Sequence, residues 1–133
     1  MEGNKIQTSN ERLGRFLKDK NLIVASNRGP LEFFREDNNK IGIKKGAGGL
    51  VSTLLPIMER SGGIWIASAM SDADIEIASK FPGNTLPVPL KNPKFRVQLI
   101  KLNKEKYNEF YNTISNSLIW FIHNQLWNLT DKP

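Results

Sequence analysis

The sequence predicts an α/β fold, in which a parallel sheet is flanked by helices. Three short segments, 22–25, 64–67 and 95–100, have the apolar composition of buried strands. Helical segments lie between and after them, over Leu50–Met58 and Lys104–Thr130. Strands that alternate with helices along a chain are typical of a layered sheet.

The first strand is predicted from the continuous apolar run Leu22–Ala25, which ends in the turn-forming sequence Ser26-Asn27-Arg28-Gly29-Pro30. Arg28 therefore follows the carboxyl end of the strand, the edge at which open α/β sheets bind ligands. A guanidinium can hold a phosphate through two parallel hydrogen bonds. Arg28 is a candidate phosphate ligand, and a solvated turn residue is the alternative.

A β-hairpin is predicted next, because residues 31–35 and 40–44 flank the polar segment 36–39. The sequence Gly46-Ala47-Gly48-Gly49 then leads into the helix at Leu50–Met58, with a distortion expected at Pro56. Backbone N–H groups of a glycine loop at a helix N-terminus can bind a phosphate. The spacing matches neither the P-loop nor the dinucleotide fingerprint, so a simple tight turn is the alternative.

The last helix has an apolar stripe, which predicts packing against the sheet; its members are Tyr107, Phe110, Tyr111, Ile114, Leu118, Phe121 and Ile122. A second face carries Asn116, Trp120, His123 and Trp127 at steps of four, three and four. Aromatic rings and amides suit a sugar ligand, and a second buried face is the alternative.

Composition limits the possible functions. The 133 residues are enough for one domain, with 1–20 predicted as a tail and short helix (11–18) and 21–133 as the folded part. Cysteine is absent and His123 is the only histidine, so we expect no disulfide, no metal and no cofactor. No apolar run would span a bilayer and no secretory signal is found, which predicts a cytoplasmic protein without a membrane partner.

The net charge of +6 suits an anionic ligand without selecting one. A nucleic-acid-binding module would gather its basic residues on one face, whereas the lysines here are scattered over loops and element ends. We therefore expect no nucleic-acid partner, and the oligomeric state, including a homo-oligomer, stays open.

Several motifs in order along the chain resemble the trehalose-6-phosphate synthase family. They are Leu22–Arg28, Gly46–Leu50, Gly62–Trp65, Tyr111-Asn112, Ser115-Asn116 and Trp120. The resemblance covers about residues 21–128 and implies the N-terminal, acceptor-binding portion of a GT-B fold: a partial Rossmann-like parallel sheet with flanking helices and an inserted β-hairpin. It further implies a retaining transfer of glucose from UDP-glucose or GDP-glucose to glucose 6-phosphate.

Residue by residue, the resemblance implies that Arg28 binds the acceptor phosphate and that Tyr111 and Trp120 are the acceptor-site aromatics. Gly48 and Gly49 would lie close to the donor diphosphate. The family's catalytic histidine and its donor-binding basic pair match positions beyond residue 133, so no catalytic residue is assigned. The chain alone is expected to be an inactive fragment with an unfinished sheet edge, prone to self-association.

Two departures from the family pattern keep the acceptor open. Many members have a second tryptophan shortly after the one that matches Trp65, whereas this chain continues Ile66-Ala67-Ser68-Ala69-Met70. Many also carry a proline and a histidine one residue further along than His123. A glucosylglycerol-phosphate synthase or a pseudo-glycosyltransferase with another acceptor is the alternative.

The resemblance and the helical periodicity conflict at one point. Tyr111 and Trp120 are nine residues apart, which puts them on opposite faces of an α-helix with 3.6 residues per turn. Both can contact one acceptor only if the helix bends or restarts between them. We therefore predict an interruption near Asn112–Asn116, where Ser115 or Asn116 could cap a new helix.

Overall fold

The structure, a computed structural model, describes residues 9–124, and side chains from residue 11 onwards. The chain divides into two compact units, one ending at Lys101 and the other beginning at Leu102. In the first unit the helices are α1 (Ser9–Leu17), α2 (Gly49–Ser61) and α3 (Asp72–Ser79), with a short 3₁₀ turn at Pro82–Asn84. Its strands are β1 (Ile23–Ser26), β2 (Leu31–Arg35), β3 (Ile41–Lys45), β4 (Ile64–Ser68), β5 (Thr85–Val88) and β6 (Phe95–Ile100).

The main sheet has four strands in the order β1-β4-β6-β5. β1 and β6 both run parallel to β4, with Val24 opposite Trp65 and Trp65 opposite Val97. β2 and β3 form a separate antiparallel hairpin. A mixed α/β fold with a parallel sheet, flanking helices and an inserted hairpin is thus confirmed, consistent with a partial Rossmann-like domain.

Two elements of the first unit were not predicted from the sequence. β5 pairs antiparallel with β6, so β6 is an inner strand of the described sheet and β1 lies at an edge. α3 begins with a capping box in which Ser71 Oγ accepts from the backbone N–H of Asp74 at 3.0 Å. The short length of both elements, four and eight residues, left no periodicity in the sequence to indicate them.

The core lies between the sheet and the helices. β6 alternates buried and exposed side chains, as expected for a strand with one face covered. Trp65 and Met58 are completely buried at the centre. The remaining buried apolar side chains are Phe33, Val51, Ala67, Ala73, Ala78, Leu86, Val88, Phe95, Val97 and Leu99.

The second unit is helical from Lys104 to His123. α4 (Lys104–Asn108) continues into a π-helix (Glu109–Ile119) and then α5 (Trp120–His123), and the residues at both junctions keep right-handed helical dihedral angles. The predicted new helix N-terminus at Ser115 or Asn116 is wrong, whereas α-helical hydrogen bonding is replaced by π-helical bonding over Glu109–Ile119, a segment that includes the predicted site of interruption. In the apolar stripe, Phe110, Ile114, Leu118 and Ile122 are 39–55% exposed. The packing of this stripe against the sheet stays a prediction. The predicted helical residues after 124, including Trp127, lie outside the described part.

Within the described residues, no helix has both the length and the apolar composition that a membrane span requires.

Candidate functional site

The loop after β1 carries Arg28, whose side chain is exposed. The loop is attached to the sheet by two hydrogen bonds in series: the indole Nε1 of Trp65 donates to Ser26 Oγ at 2.7 Å, and Ser26 Oγ donates to the carbonyl oxygen of Arg28 at 2.7 Å. The backbone N–H of Ser68 also donates to the carbonyl of Asn27 at 3.1 Å. Arg28 thus has a backbone held by β4, while no described carboxylate forms an ion pair with its guanidinium.

Asn27 contributes a second unusual feature of this loop. Its side-chain Nδ2 is buried and has no hydrogen-bond partner among the described residues. Buried donors in proteins are nearly always paired, and an exception often marks a functional position. The Nδ2 of Asn27 and the guanidinium of Arg28 therefore both lie at the carboxyl end of β1. Neither group has a protein partner in the described part of the chain.

The glycine loop follows β3 and leads into α2. Gly48 is the N-cap residue, with φ 110° and ψ 161°, a backbone conformation that L side chains rarely adopt. A Cβ added to Gly48 or Gly49 would meet no atom within 4 Å. The first backbone N–H groups of the helix, which lack intrahelical acceptors, are therefore reachable from outside.

The loop after β1 and the glycine loop contact each other through their backbones. The N–H of Gly46 donates to the carbonyl of Pro30 at 2.7 Å. A Cβ on Gly46 would collide with the carbonyl oxygen of Gly29, so glycine is required for this close approach. Arg28 and Gly48 are each only two residues from this contact. The structure thus brings two of the predicted site segments together in one unit.

The hairpin that connects these loops is fastened to α3 by a buried carboxylate. Asp74 is 2% exposed, and its Oδ1 accepts from the N–H of Phe33 at 2.8 Å. Its Oδ2 accepts from the N–H groups of Met70 and Ser71 at 2.8 and 3.0 Å. Ser71 Oγ donates to the carbonyl of Phe33 at 2.9 Å. These contacts fix the position of β2 and, through it, of the segments on either side of the hairpin.

Tyr111 and Trp120 lie in the helical unit. The Tyr111 ring stacks on Tyr107 with centroids 5.6 Å apart, and Trp120 is 51% exposed with its ring edge-to-face against Phe121. At the end of the π-helix the backbone N–H of Trp120 donates to the carbonyl of Ser115, five residues earlier. Because i→i+5 bonds widen the turn, nine residues correspond to about two turns. Tyr111 and Trp120 therefore share one side of the helix because of this π-helical segment, without a new capped N-terminus between them.

Sequence reasoning did not assign roles to Ser26, Asn27 or Asp74. Ser26 and Asn27 stand in the turn sequence beside Arg28, but their hydrogen-bonding partners lie about forty residues away in the chain, beyond any local pattern. For Asp74, the one local signal in the sequence is its position three residues after Ser71, which is the spacing of a capping box.

The fold defines an α/β protein of the partial Rossmann-like type, a class that binds ligands at the carboxyl ends of its parallel strands. No protein-family model matches the chain. Among curated proteins, the chain is similar to the trehalose-6-phosphate synthases of Mycobacterium ulcerans and Mycobacterium marinum, each 24% identical over 109 residues. That of Mycolicibacterium vanbaalenii is 26% identical over 107 residues.

These matches cover 79–81% of this chain and 20% of each relative. The resemblance that the motifs indicate is therefore confirmed as a similarity to proteins named trehalose-6-phosphate synthase. The chain spans about one fifth of the length of the curated relatives it matches.

Proposed function

We propose that the chain is the N-terminal, acceptor-binding part of a retaining glycosyltransferase of the trehalose-6-phosphate synthase type. The reaction would transfer glucose from UDP-glucose or GDP-glucose to glucose 6-phosphate. The observation that carries the proposal is the backbone contact between the Arg28 loop and the glycine loop, in a chain that is similar to enzymes of that name. Phosphate-binding groups for two substrates would then lie close to each other.

Arg28 would hold the acceptor phosphate. Its guanidinium extends from the carboxyl end of a parallel strand, and its backbone is fixed through Ser26 to the buried Trp65. Such a fixed loop lowers the entropic cost of orienting the ligand.

Gly48 and Gly49 would lie against the donor diphosphate. The open space around both Cα atoms allows a ligand to approach the first N–H groups of α2, and the helix dipole favours negative charge there. These donors would stabilise the charge that develops on the leaving diphosphate as the glucosyl bond breaks. Tyr111 and Trp120 would contribute aromatic faces to the acceptor sugar.

The 133-residue chain alone would not turn over substrate, since the catalytic histidine and the donor-binding basic pair of the resembled family match positions outside it. Fusing the chain to the segment that follows the matching region in the M. ulcerans enzyme tests the complete reaction. Formation of trehalose 6-phosphate by the fusion, and none by the chain alone, is expected. Turnover by the chain alone would contradict the proposal that catalysis needs residues outside this chain.

A second acceptor is favoured by one observation, the sequence Ile66–Met70 in place of a second tryptophan. A glucosylglycerol-phosphate-type synthase would use a glycerol phosphate instead of glucose 6-phosphate. The same fusion is assayed with each acceptor in turn. The acceptor with the higher kcat/KM identifies which of the two functions is correct.

A further inference from the structure

An apolar cavity of about 500 Å³ lies in the first unit, between one face of the hairpin, α2 and the segment from β5 to β6. Its inner wall is formed by side chains of the core: Phe33, Leu86, Val88 and Phe95, all at most 8% exposed. The volume is within the range of about 300 to 1,000 Å³ that is usual for small-molecule sites. None of the lining residues belongs to the candidate sugar-phosphate site.

The mouth of the cavity is apolar as well. Ile43 and Leu90 line it and are 54% and 55% exposed. Two large apolar side chains left in water at the entrance to an apolar cavity form a continuous surface that a ligand could cover. Each square ångström of apolar surface removed from water contributes to affinity.

Charge at the cavity is unbalanced. Lys45 and Lys91 line it, and neither forms an ion pair with a carboxylate in the described part of the chain. Glu59 is the acidic lining residue, and its carboxylate is paired with Lys94 at 3.5 Å. An otherwise apolar cavity therefore has two ammonium groups available at its edge.

The hairpin register explains why Lys45 is available. Lys45 is opposite Leu31 and Ile43 is opposite Phe33, so these four side chains share the face that borders the cavity. Lys44 is on the other face, where its Nζ lies 2.9 Å from Glu32. Adjacent lysines thus have different surroundings, one beside a carboxylate and one beside apolar side chains.

We propose that this cavity binds a free single-chain amphiphile: an alkyl chain that ends in an anionic group such as a carboxylate. The chain would occupy the apolar cavity, and the anion would lie between the ammonium groups of Lys45 and Lys91. The apolar lining disfavours a sugar or a nucleotide, because their hydroxyl groups would lose hydrogen bonds to water without replacement. The proposal is independent of the glycosyltransferase function.

Decanoate, used below its micelle concentration, is the probe. Titration of the ¹⁵N-labelled 133-residue chain is expected to give saturable one-to-one shifts at the amides of residues 43–45, 86, 88, 90 and 91. Decanol and decyltrimethylammonium should bind at least ten-fold more weakly, since the first lacks the charge and the second has the opposite one. Equal binding of the cationic probe would overturn the proposal, as would the absence of saturable shifts with decanoate.

Variants separate the cavity from nonspecific binding. Lys45→Ala combined with Lys91→Ala is expected to weaken decanoate binding about ten-fold, because two partly exposed ion pairs are lost. The matched control, Lys44→Ala combined with Lys40→Ala, removes the same charge from the hairpin and should change the affinity less than two-fold. Equal losses in both double variants would overturn the proposal. A dimer whose interface covers the cavity, detected by sedimentation and undisturbed by decanoate, would overturn it as well.

Discussion

Trp65 Nε1 and Ser26 Oγ are joined by a hydrogen bond of 2.7 Å that links a completely buried ring on β4 to the last residue of β1. The same hydroxyl donates to the carbonyl of Arg28. One small side chain therefore satisfies a buried indole and also holds the loop that carries the proposed phosphate ligand.

Ser26→Ala should lower the free energy of unfolding by about 1 to 3 kcal/mol, because it leaves a buried indole N–H without an acceptor. Urea unfolding of the 133-residue chain measures this. Ser26→Thr keeps the hydroxyl and should restore most of the loss. Ser52→Ala is the matched control, since the Ser52 hydroxyl only contacts carbonyls of its own helical turn. A loss in the control as large as in Ser26→Ala would contradict the assigned role.

Arg28→Ala should weaken binding of glucose 6-phosphate by about 10- to 150-fold, the equivalent of a charge-assisted hydrogen bond of about 1.5 to 3 kcal/mol. UDP-glucose affinity should change little, because the diphosphate is assigned to the glycine loop. Isothermal titration or NMR measures both ligands. Arg96→Ala removes an exposed arginine on β6 as a control. Equal effects of Arg28→Ala on both ligands would mean that Arg28 is not acceptor-specific.

Gly48 and Gly49 offer a matched pair of glycines. A Cβ meets no neighbour within 4 Å at either position, but only Gly48 has a positive φ. Gly48→Ala should therefore destabilise the fold by about 1 to 3 kcal/mol, while Gly49→Ala should leave stability nearly unchanged. Thermal unfolding measures the difference. Similar stability of the two variants would contradict the backbone conformation of Gly48.

Donor binding gives a second readout for the same loop. Gly48→Val and Gly49→Val should both weaken UDP-glucose binding, because each side chain would enter the open space in front of the first N–H groups of α2. Glucose 6-phosphate binding should persist in Gly49→Val. An unchanged donor affinity in both variants would remove the glycine loop from the proposed site.

Asp74→Asn should destabilise the chain by about 3 kcal/mol or more, because an amide cannot accept from Phe33, Met70 and Ser71 at once without directing an NH₂ group at a backbone N–H. Asp37→Asn, at the exposed hairpin turn, is the control and should have little effect. Chemical unfolding measures both. Hydrogen exchange at the β2 amides should increase in Asp74→Asn if the hairpin is released from α3.

The sequence alone was sufficient to predict those strands and turns that are indicated by a pattern of a few consecutive residues. The apolar run Leu22–Ala25, the alternation in Phe95–Ile100 and the turn at 36–39 each indicate their strands, since side-chain periodicity and turn chemistry are local properties. The glycine loop and the position of Arg28 after a strand were visible for the same reason.

Tertiary structure decided the rest, because it depends on partners that are distant in sequence. β5 is a strand through its pairing with β6, and Ser26, Gly46 and Asp74 acquire their roles from Trp65, Gly29 and Phe33. The last helix gives a further example. Whether a turn is α-helical or π-helical depends on which carbonyl each backbone N–H bonds to, and the same local sequence is compatible with both. A sequence read locally can therefore identify the segments that carry the candidate ligands, whereas packing between distant segments brings those ligands together.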